Sequence, residues 1–149
     1  MNFISDTADL VTPLTRILAV EDFAPHRLLV ASLLRGMSDL RVVGEVSDGI
    51  TAVEKAQELN PDVILMDIGL PGLNGIDAAR RIRELAPYVK IIFVTQESSP
   101  EIIEEALHLG ARGYVLKSEM ETDLIPALYA VVQGKRFISG RDSGNNNDR

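Results

Sequence analysis

Four short apolar segments recur along the chain at about residues 16–20, 62–66, 90–94 and 113–117, and each is rich in isoleucine, valine and leucine. Strands that are covered on both faces have this continuously apolar character, so the four segments predict buried strands of a parallel sheet. Segment 41–47 mixes apolar and polar residues, which fits a strand at the edge of the same sheet.

Helical periodicity fills the intervals between these strands and follows the last of them. Apolar residues recur every three or four positions in five segments. The first predicted helix covers about 25–36, and the second and third follow Gly49 and Gly75. The fourth opens at a capping-box pattern from Ser98 to Glu101, and the fifth begins near Thr122 or Asp123. The last start is predicted from Pro126, because proline fits a helix without penalty only in its first turn.

Strand and helix patterns thus alternate five times with short connections, which predicts an α/β fold whose parallel sheet is covered by helices on both faces. Right-handed crossovers limit the possible arrangements. A doubly wound sheet of order 2-1-3-4-5 is one of two common solutions, and the pattern alone does not choose between them.

Length and composition favour one domain with short ends. The chain has 149 residues, enough to bury a real core. We divide it into an N-terminal arm (1–14), a folded domain (15–138) and a flexible linker or tail (139–149), because the last segment is too polar to form a core. No apolar run approaches the roughly 18–20 residues of a membrane span, and the N-terminus lacks a secretory signal pattern, so we expect cytoplasmic residence.

Charge and cysteine content exclude several functional classes. The formal charge of −7 argues against general affinity for nucleic-acid backbones or anionic membranes, both of which need a basic surface. The chain has no cysteine, which excludes disulfides, thiolate catalysis and zinc–thiolate sites.

Polar residues follow the predicted strands at the end where parallel sheets bind ligands. Glu21 and Asp22 follow the first strand, Asp67 the third, Thr95 ends the fourth and Lys117 ends the fifth. A single acid at such a position often caps a helix or faces solvent. Three carboxylates brought together repel one another, and a divalent cation relieves the repulsion, so the set indicates a Mg²⁺ site.

The same residues fit phosphoryl transfer. A carboxylate beside Mg²⁺ and a lysine can attack phosphorus and form an acyl phosphate. The chain has neither a P-loop nor a dinucleotide fingerprint after its first strand, so the common nucleotide-binding motifs are absent. We interpret both histidines, His26 and His108, as solvated helix residues.

In order and spacing these residues resemble the receiver domain of two-component response regulators over about residues 15–138. The resemblance rests on the acidic pair 21–22, the stretch 67–75 (DIGLPGLNG), Thr95 and the stretch 110–117 (GARGYVLK). The stretches 70–77 (LPGLNGID), 110–117 and 134–139 (GKRFIS) look most like the NarL/FixJ class. The resemblance implies a flavodoxin-like, five-stranded parallel sheet of order 2-1-3-4-5 with five helices.

The resemblance also implies a role for each matching residue. Asp67 would be the phosphoacceptor; Mg²⁺ would be held by Glu21, Asp22, Asp67 and the backbone carbonyl of Gly69. Thr95 and Lys117 would bind the phosphoryl group, and Tyr114 would swing inward when Thr95 moves toward it.

Three positions depart from the usual family pattern, and the mildest is Glu21, where the first acid is usually Asp. Gln96 follows the threonine where a small residue is usual, so it is a possible modulator of phosphorylation or dephosphorylation kinetics. Ser118 follows the lysine where many receivers have proline, which leaves a cis or trans Lys117–Ser118 bond open.

The resemblance implies a phosphoryl acceptor rather than an enzyme, beyond slow self-phosphorylation from small donors and self-dephosphorylation. The expected partner is a sensor histidine kinase or phosphotransfer protein, pairing with a second copy of the chain is left open, and no direct nucleic-acid or membrane contact by this domain is expected. The expected output is transcription through a DNA-binding domain; the alternative is a stand-alone receiver acting by protein contact or as a phosphate sink. A flavodoxin-like nucleotide or FMN enzyme would need a phosphate-binding loop where the chain has Glu21 and Asp22.

Overall fold

The structure, a computed structural model, describes residues 13–140. Most of the proposed N-terminal arm, and the proposed tail after residue 140, lie outside this range. The strands are β1 (Thr15–Val20), β2 (Leu40–Val46), β3 (Val63–Met66), β4 (Lys90–Thr95), β5 (Gly113–Leu116) and β6 (Phe137–Ile138). The helices are α1 (Ala24–Arg35), α2 (Gly49–Leu59), α3 (Gly75–Leu85), α4 (Pro100–His108) and α5 (Met120–Val132), with a 3₁₀ turn at Lys117–Glu119.

The strands form one parallel sheet in the order β2-β1-β3-β4-β5-β6. The predicted flavodoxin-like fold and the order 2-1-3-4-5 are confirmed, and the strand count is corrected from five to six within the described residues. The extra strand pairs Phe137 with Gly113 and Ile138 with Tyr114 along β5. Two residues are too few to show a strand period, which is why the sequence pattern did not reveal β6.

Helices cover both faces of the sheet, and each face has its own apolar core. In β1, Leu18 and Val20 pack on the side of α2, α3 and α4, whereas Ile17 and Ala19 pack on the side of α1 and α5. Because side chains alternate along a strand, a sheet buried on both faces needs an apolar residue at every position. The continuous apolar runs in the sequence have this cause.

Side-chain caps set the beginnings of three helices. Asp48, Asn74 and Ser99 accept hydrogen bonds from the backbone N–H groups three residues later, at the starts of α2, α3 and α4. The predicted capping box from Ser98 to Glu101 is wrong by one residue. Pro100 occupies the first helical position, where proline is favoured, and this makes Ser99 the cap.

The predicted start of α5 near Thr122 or Asp123 is also wrong, because the helix begins at Met120. Met120 is 1% exposed and packs in the core beside α1, and this burial extends the helix by two to three residues. Pro126 consequently lies inside α5 rather than in its first turn. Tertiary packing has overridden the local preference of proline.

The packed part of the fold continues past β6 to Ser139, which is 8% exposed. Its hydroxyl donates to Asp123 Oδ2 at 2.7 Å and accepts from the Leu116 N–H at 3.0 Å. Ser139 therefore ties α5 to the end of β5. In the part of the chain described, no helix has the length and apolarity needed to cross a membrane.

Candidate phosphoryl-transfer site

The sheet register brings the predicted site residues together at one edge. Val20 pairs with Met66, so Glu21 and Asp67 emerge side by side from β1 and β3. Thr95 pairs with Leu116 at the ends of β4 and β5, directly before Lys117. Parallel pairing places all four carboxyl ends on the same side, which is where open α/β sheets bind ligands.

Three carboxylates lie together at this edge of the sheet. Oxygen atoms of Glu21, Asp22 and Asp67 all lie within 4.8 Å of one another. Glu21 and Asp67 are 5% and 6% exposed, whereas Asp22 faces solvent. Hard oxygen donors at this spacing, with one side open to water, suit Mg²⁺, which keeps part of its water shell when bound to protein. The chemistry and geometry of the donor set therefore fit the metal that the resemblance implies.

The Lys117 ammonium bridges two of these carboxylates. Its Nζ donates to Glu21 Oε1 at 2.8 Å and to Asp67 Oδ2 at 2.9 Å. Burial alone would lower the pKa of Lys117, but the hydrogen bonds and charges of Asp67 and Glu21 outweigh burial and raise that pKa above its usual value. The lysine is therefore a fixed positive charge beside the Asp67 carboxylate at neutral pH.

The loop after β3 lies against Asp67. The Gly69 N–H approaches Asp67 Oδ1 at 3.4 Å, and Gly69 itself lines the cavity. Gly75 N–H donates to the Ile68 carbonyl at 2.8 Å, which folds the loop back onto the start of α3. A side chain at Gly75 would meet the Asp67 carbonyl oxygen, because an added Cβ would lie 2.0 Å from it. The backbone that holds Asp67 is thus packed directly on the beginning of α3.

Thr95 and Tyr114 contact the same short segment after β4. The Glu97 N–H donates to Thr95 Oγ1 at 3.3 Å, and Tyr114 donates its hydroxyl proton to the Glu97 carbonyl at 2.7 Å. Tyr114 is fully buried. Burial raises the pKa of the Tyr114 phenol, and the nearby charges of Glu97 and Asp67 add to the effect, so the hydroxyl stays protonated and remains a donor.

An open cavity of about 320 Å³ joins these groups, and its walls include Glu21, Asp22, Asp67, Thr95, Gln96 and Lys117. Gln96 is exposed at its rim. The Lys117–Ser118 peptide bond, whose geometry the sequence left open, is trans. Every side chain predicted for the metal and phosphoryl roles therefore faces one cavity, and Tyr114 is connected to it through Glu97.

The interpretation of His26 as a solvated helix residue holds only in part, because the residue lies in α1 with a side chain that is 25% exposed, but one ring nitrogen is buried against the site. His26 lies at the wall of the cavity, and its Nδ1 is buried, 4.0 Å from Glu21 Oε1. The helical period alone could not reveal this, because it does not say how the first turn of α1 faces the sheet edge. His108 is exposed at the end of α4, as predicted.

Comparison with known proteins identifies the family. The sequence profile of the response regulator receiver domain matches residues 17–129. The chain is 34% identical over 124 residues to the response regulator GacA of Pseudomonas viridiflava, covering 83% of this chain and 58% of GacA. It is 35% identical over 123 residues to the nitrate/nitrite response regulator protein NarL of Escherichia coli K12, covering 83% of this chain and 57% of NarL. The chain thus spans little more than half the length of these relatives.

Solved structures agree with the sequence matches. A LuxR-family two-component response regulator from Aurantimonas superposes with a TM-score of 0.81 at 32% identity, over 85% of this chain and 91% of that one. The response regulator domain of Thermotoga maritima CheB superposes with a TM-score of 0.72 at 36% identity, over 81% of this chain and 95% of that one. With the sheet order and the extent of the profile match, these similarities show that the chain belongs to the response regulator receiver domain family, in its NarL-like class.

Proposed function

We propose that the chain accepts a phosphoryl group on Asp67 and uses the modification to change its surface. The single observation that supports this most strongly is the Asp67 carboxylate, which is nearly buried, beside a lysine and inside a cluster of acids open to one cavity. The proposed donor is a phosphohistidine of a sensor histidine kinase or phosphotransfer protein, in the cytoplasm. The chain is proposed to be an acceptor rather than an enzyme.

The chemical step is an in-line displacement at phosphorus. A carboxylate oxygen of Asp67 forms the new P–O bond, the P–N bond of the donor breaks, and the imidazole nitrogen keeps that electron pair. Lys117 balances the charge that develops on the phosphoryl oxygens. Glu21, Asp22, Asp67 and the backbone carbonyl of Gly69 would hold Mg²⁺, which when bound neutralises the negative charge of carboxylates and phosphoryl oxygens.

Thr95 and Tyr114 would transmit the change to the surface. Thr95 Oγ1 accepts from the Glu97 N–H, which leaves its own proton free for a phosphoryl oxygen. Movement of Thr95 toward that oxygen would disturb the Glu97 backbone, and Tyr114 is hydrogen bonded to the carbonyl of the same residue. Coupling of this kind is typically about 1–3 kcal/mol, which shifts populations without changing the fold.

The intact mass of the protein tests the acceptor function. Incubation with acetyl phosphate and Mg²⁺ should add one phosphoryl group to the native chain and none to Asp67→Ala. Asp77→Ala, which removes an exposed carboxylate at the start of α3, is the matched control and should gain the group normally. A phosphoryl group on the Asp67→Ala protein would rule out the proposed acceptor.

For the output, we propose control of transcription, because one relative is the transcriptional regulatory protein LiaR of Bacillus subtilis, 35% identical over 130 residues. The alternative is a receiver that acts by protein contact or as a phosphate sink. Sedimentation with and without beryllofluoride, the phosphoryl mimic used with the receiver domain of Salmonella RcsB, would show whether activation pairs two copies of the chain. Expression of a reporter in cells carrying the Asp67→Ala change would test for transcriptional control.

A further inference from the structure

The His26 imidazole presents an unusual atom to the acidic cavity. Its Nδ1 is buried and has no hydrogen-bond partner among the side chains and backbone of residues 13–140. A buried polar atom without a partner is unfavourable, and such an atom in a native structure calls for an explanation, a role at a functional site among them. The nearby charged atom is Glu21 Oε1 at 4.0 Å.

Phe23 holds the two partners in this orientation. Its ring packs edge-on against the His26 imidazole, with ring centres 4.8 Å apart and an interplanar angle of 70°. Its backbone N–H donates to Glu21 Oε2 at 3.0 Å, and its carbonyl accepts from the His26 N–H at 3.1 Å. Phe23 therefore holds Glu21 Oε2 and orients the His26 imidazole toward Glu21 Oε1.

The carboxylate selects the proton position on the ring. A neutral imidazole has one N–H donor and one acceptor nitrogen, and the partner of each nitrogen decides which is which. An unprotonated Nδ1 would direct its lone pair at the negative Glu21 oxygen. A protonated Nδ1 would direct a hydrogen atom there, so the Nδ1–H form is favoured.

In the present state Lys117 already occupies the same oxygen, donating to Glu21 Oε1 at 2.8 Å. In the proposed reaction Lys117 turns its protons toward a phosphoryl oxygen on Asp67. Glu21 Oε1 then loses its donor while Glu21 stays buried. His26 Nδ1 needs an approach of only about 1 Å to replace the lysine, given a hydrogen-bond length near 3 Å.

We propose that His26 is a positioning residue that takes over Glu21 from Lys117. Its Nδ1–H donates to Glu21 Oε1 once the lysine binds the phosphoryl group, and it keeps that carboxylate directed at the divalent cation. This inference rests on the proposed function of the site. Partners that orient a metal-binding side chain typically change metal affinity by 10–100-fold when removed.

Mg²⁺ titrations of the native chain and three variants test the proposal, with and without saturating beryllofluoride. His26→Leu removes the donor at similar volume, and His26→Asn keeps an N–H donor near the Nδ1 position. His108→Leu, on the exposed end of α4, is the matched control. Backbone amide NMR signals report saturation and also show that each variant is folded.

With beryllofluoride, His26→Leu should raise the half-saturating Mg²⁺ concentration about ten-fold, while His26→Asn and His108→Leu stay within about three-fold of the native chain. Without beryllofluoride all variants should stay within about three-fold, because Lys117 still holds Glu21. A shift below three-fold for His26→Leu with beryllofluoride, or equal shifts for His26→Leu and His26→Asn, would overturn the inference. An equal loss of Mg²⁺ affinity in His26→Leu with and without beryllofluoride would also overturn the inference, since it would reflect a merely structural role.

The tautomer of His26 gives a second, direct readout. Long-range ¹⁵N–¹H spectra of the native chain above the titration range of histidine should show Nδ1–H with Mg²⁺ and beryllofluoride bound; an Nε2–H signal would contradict the proposal. The proposed function fails separately, if the native chain neither binds Mg²⁺ nor gains a phosphoryl group. If the native chain binds Mg²⁺ and gains a phosphoryl group, and His26→Leu binds Mg²⁺ as the native chain does, only the proposed role of His26 is contradicted.

Discussion

The Lys117 ammonium donates to the Asp67 carboxylate at 2.9 Å across 50 residues of sequence. The same ammonium donates to Glu21 at 2.8 Å, so one cation holds two nearly buried acids. This lysine does part of what a divalent cation would do, because it offsets the repulsion between neighbouring carboxylates. Lys117 and Mg²⁺ are therefore expected to act on the same carboxylates.

In a Lys117→Met protein, added Mg²⁺ should restore the free energy of unfolding but not the rate of phosphoryl uptake. Without Mg²⁺, the loss of the donor should lower the free energy of unfolding by about 1–3 kcal/mol, since two carboxylates lose a partner. Added Mg²⁺ should restore about 2–3 kcal/mol at concentrations near 100 times its dissociation constant. Phosphoryl uptake should still fall about 100-fold or more, because the charge that stabilises the transition state is gone.

Urea unfolding with and without Mg²⁺, and intact mass against time with acetyl phosphate, measure these effects. Lys55→Met is the matched control, because Lys55 forms an exposed ion pair with Glu58 at 2.7 Å on α2. Such pairs contribute only about 0–1 kcal/mol. A Lys117→Met protein that needs no Mg²⁺ for native stability would contradict the shared role of the two cations.

The contact between Gly75 and Asp67 predicts that a single methyl group will disturb the phosphoacceptor. In Gly75→Ala the new Cβ would lie 2.0 Å from the Asp67 carbonyl oxygen, so the backbone must shift. We expect a loss of about 1–3 kcal/mol in unfolding free energy and slower phosphoryl uptake. Gly36→Ala, at the end of α1 and away from the site, is the control, since within residues 13–140 no heavy atom other than those of its chain neighbours lies within 4 Å of its added Cβ. Similar losses in the two proteins would argue against the packing explanation.

The main features of the site could be predicted because they follow from strand ends. A run such as 90–94 is recognisable as a buried strand, and parallel pairing then determines that Thr95 lies beside the end of β5. The positions of Asp67 and Lys117 follow in the same way. No knowledge of side-chain packing is needed for this step.

Apart from the cap of α4, which Pro100 sets locally, the features that escaped prediction depend on packing between elements. Met120 extends α5 because its side chain finds a place in the core, and the helical period could not show that. The turn of α1 that brings His26 to Glu21 depends on how the helix is rotated against the sheet. The two-residue strand β6 exists because Phe137 and Ile138 pair with β5, a contact between distant parts of the chain.

The buried hydrogen bond of Tyr114 should contribute measurably to stability. Tyr114→Phe removes only the hydroxyl that donates to the Glu97 carbonyl at 2.7 Å. We expect a loss of about 1 kcal/mol in unfolding free energy. Tyr88→Phe is the matched control, because Tyr88 is 63% exposed and its hydroxyl donates to Asn60 in contact with water. Thermal unfolding of both variants checks the prediction, which fails if the two losses are equal.

Gln96 should affect the lifetime of the acyl phosphate. Its amide lies at the rim of the cavity, where it can narrow the access of water or hydrogen bond the phosphoryl group. We expect Gln96→Ala to shorten the lifetime of the phosphorylated protein by several-fold, while the unfolding free energy changes by less than about 0.5 kcal/mol as at other exposed positions. Loss of the added mass over time after removal of the phosphodonor measures the lifetime. Equal lifetimes of the native and variant proteins would remove this role.

The contribution of the Asp48 cap to the free energy of unfolding should depend on pH. Asp48 accepts hydrogen bonds from the Thr51 N–H at 2.8 Å and the Thr51 hydroxyl at 2.9 Å, and these bonds lower its pKa below the ordinary value of 3.8. A depressed pKa means that folding favours the charged form, so the contribution is complete above the unfolded-state pKa and disappears as pH falls through the folded-state value.

At neutral pH, Asp48→Ala should therefore cost about 1 kcal/mol of unfolding free energy, and the difference from the native chain should shrink below about pH 4. Ser99→Ala removes an uncharged cap from α4 and is the matched control. Its cost should stay constant over the same range, because the serine hydroxyl does not titrate there. Urea unfolding between pH 3 and pH 7 separates the two cases, and a constant cost for Asp48→Ala would show that the charge on the cap does not matter.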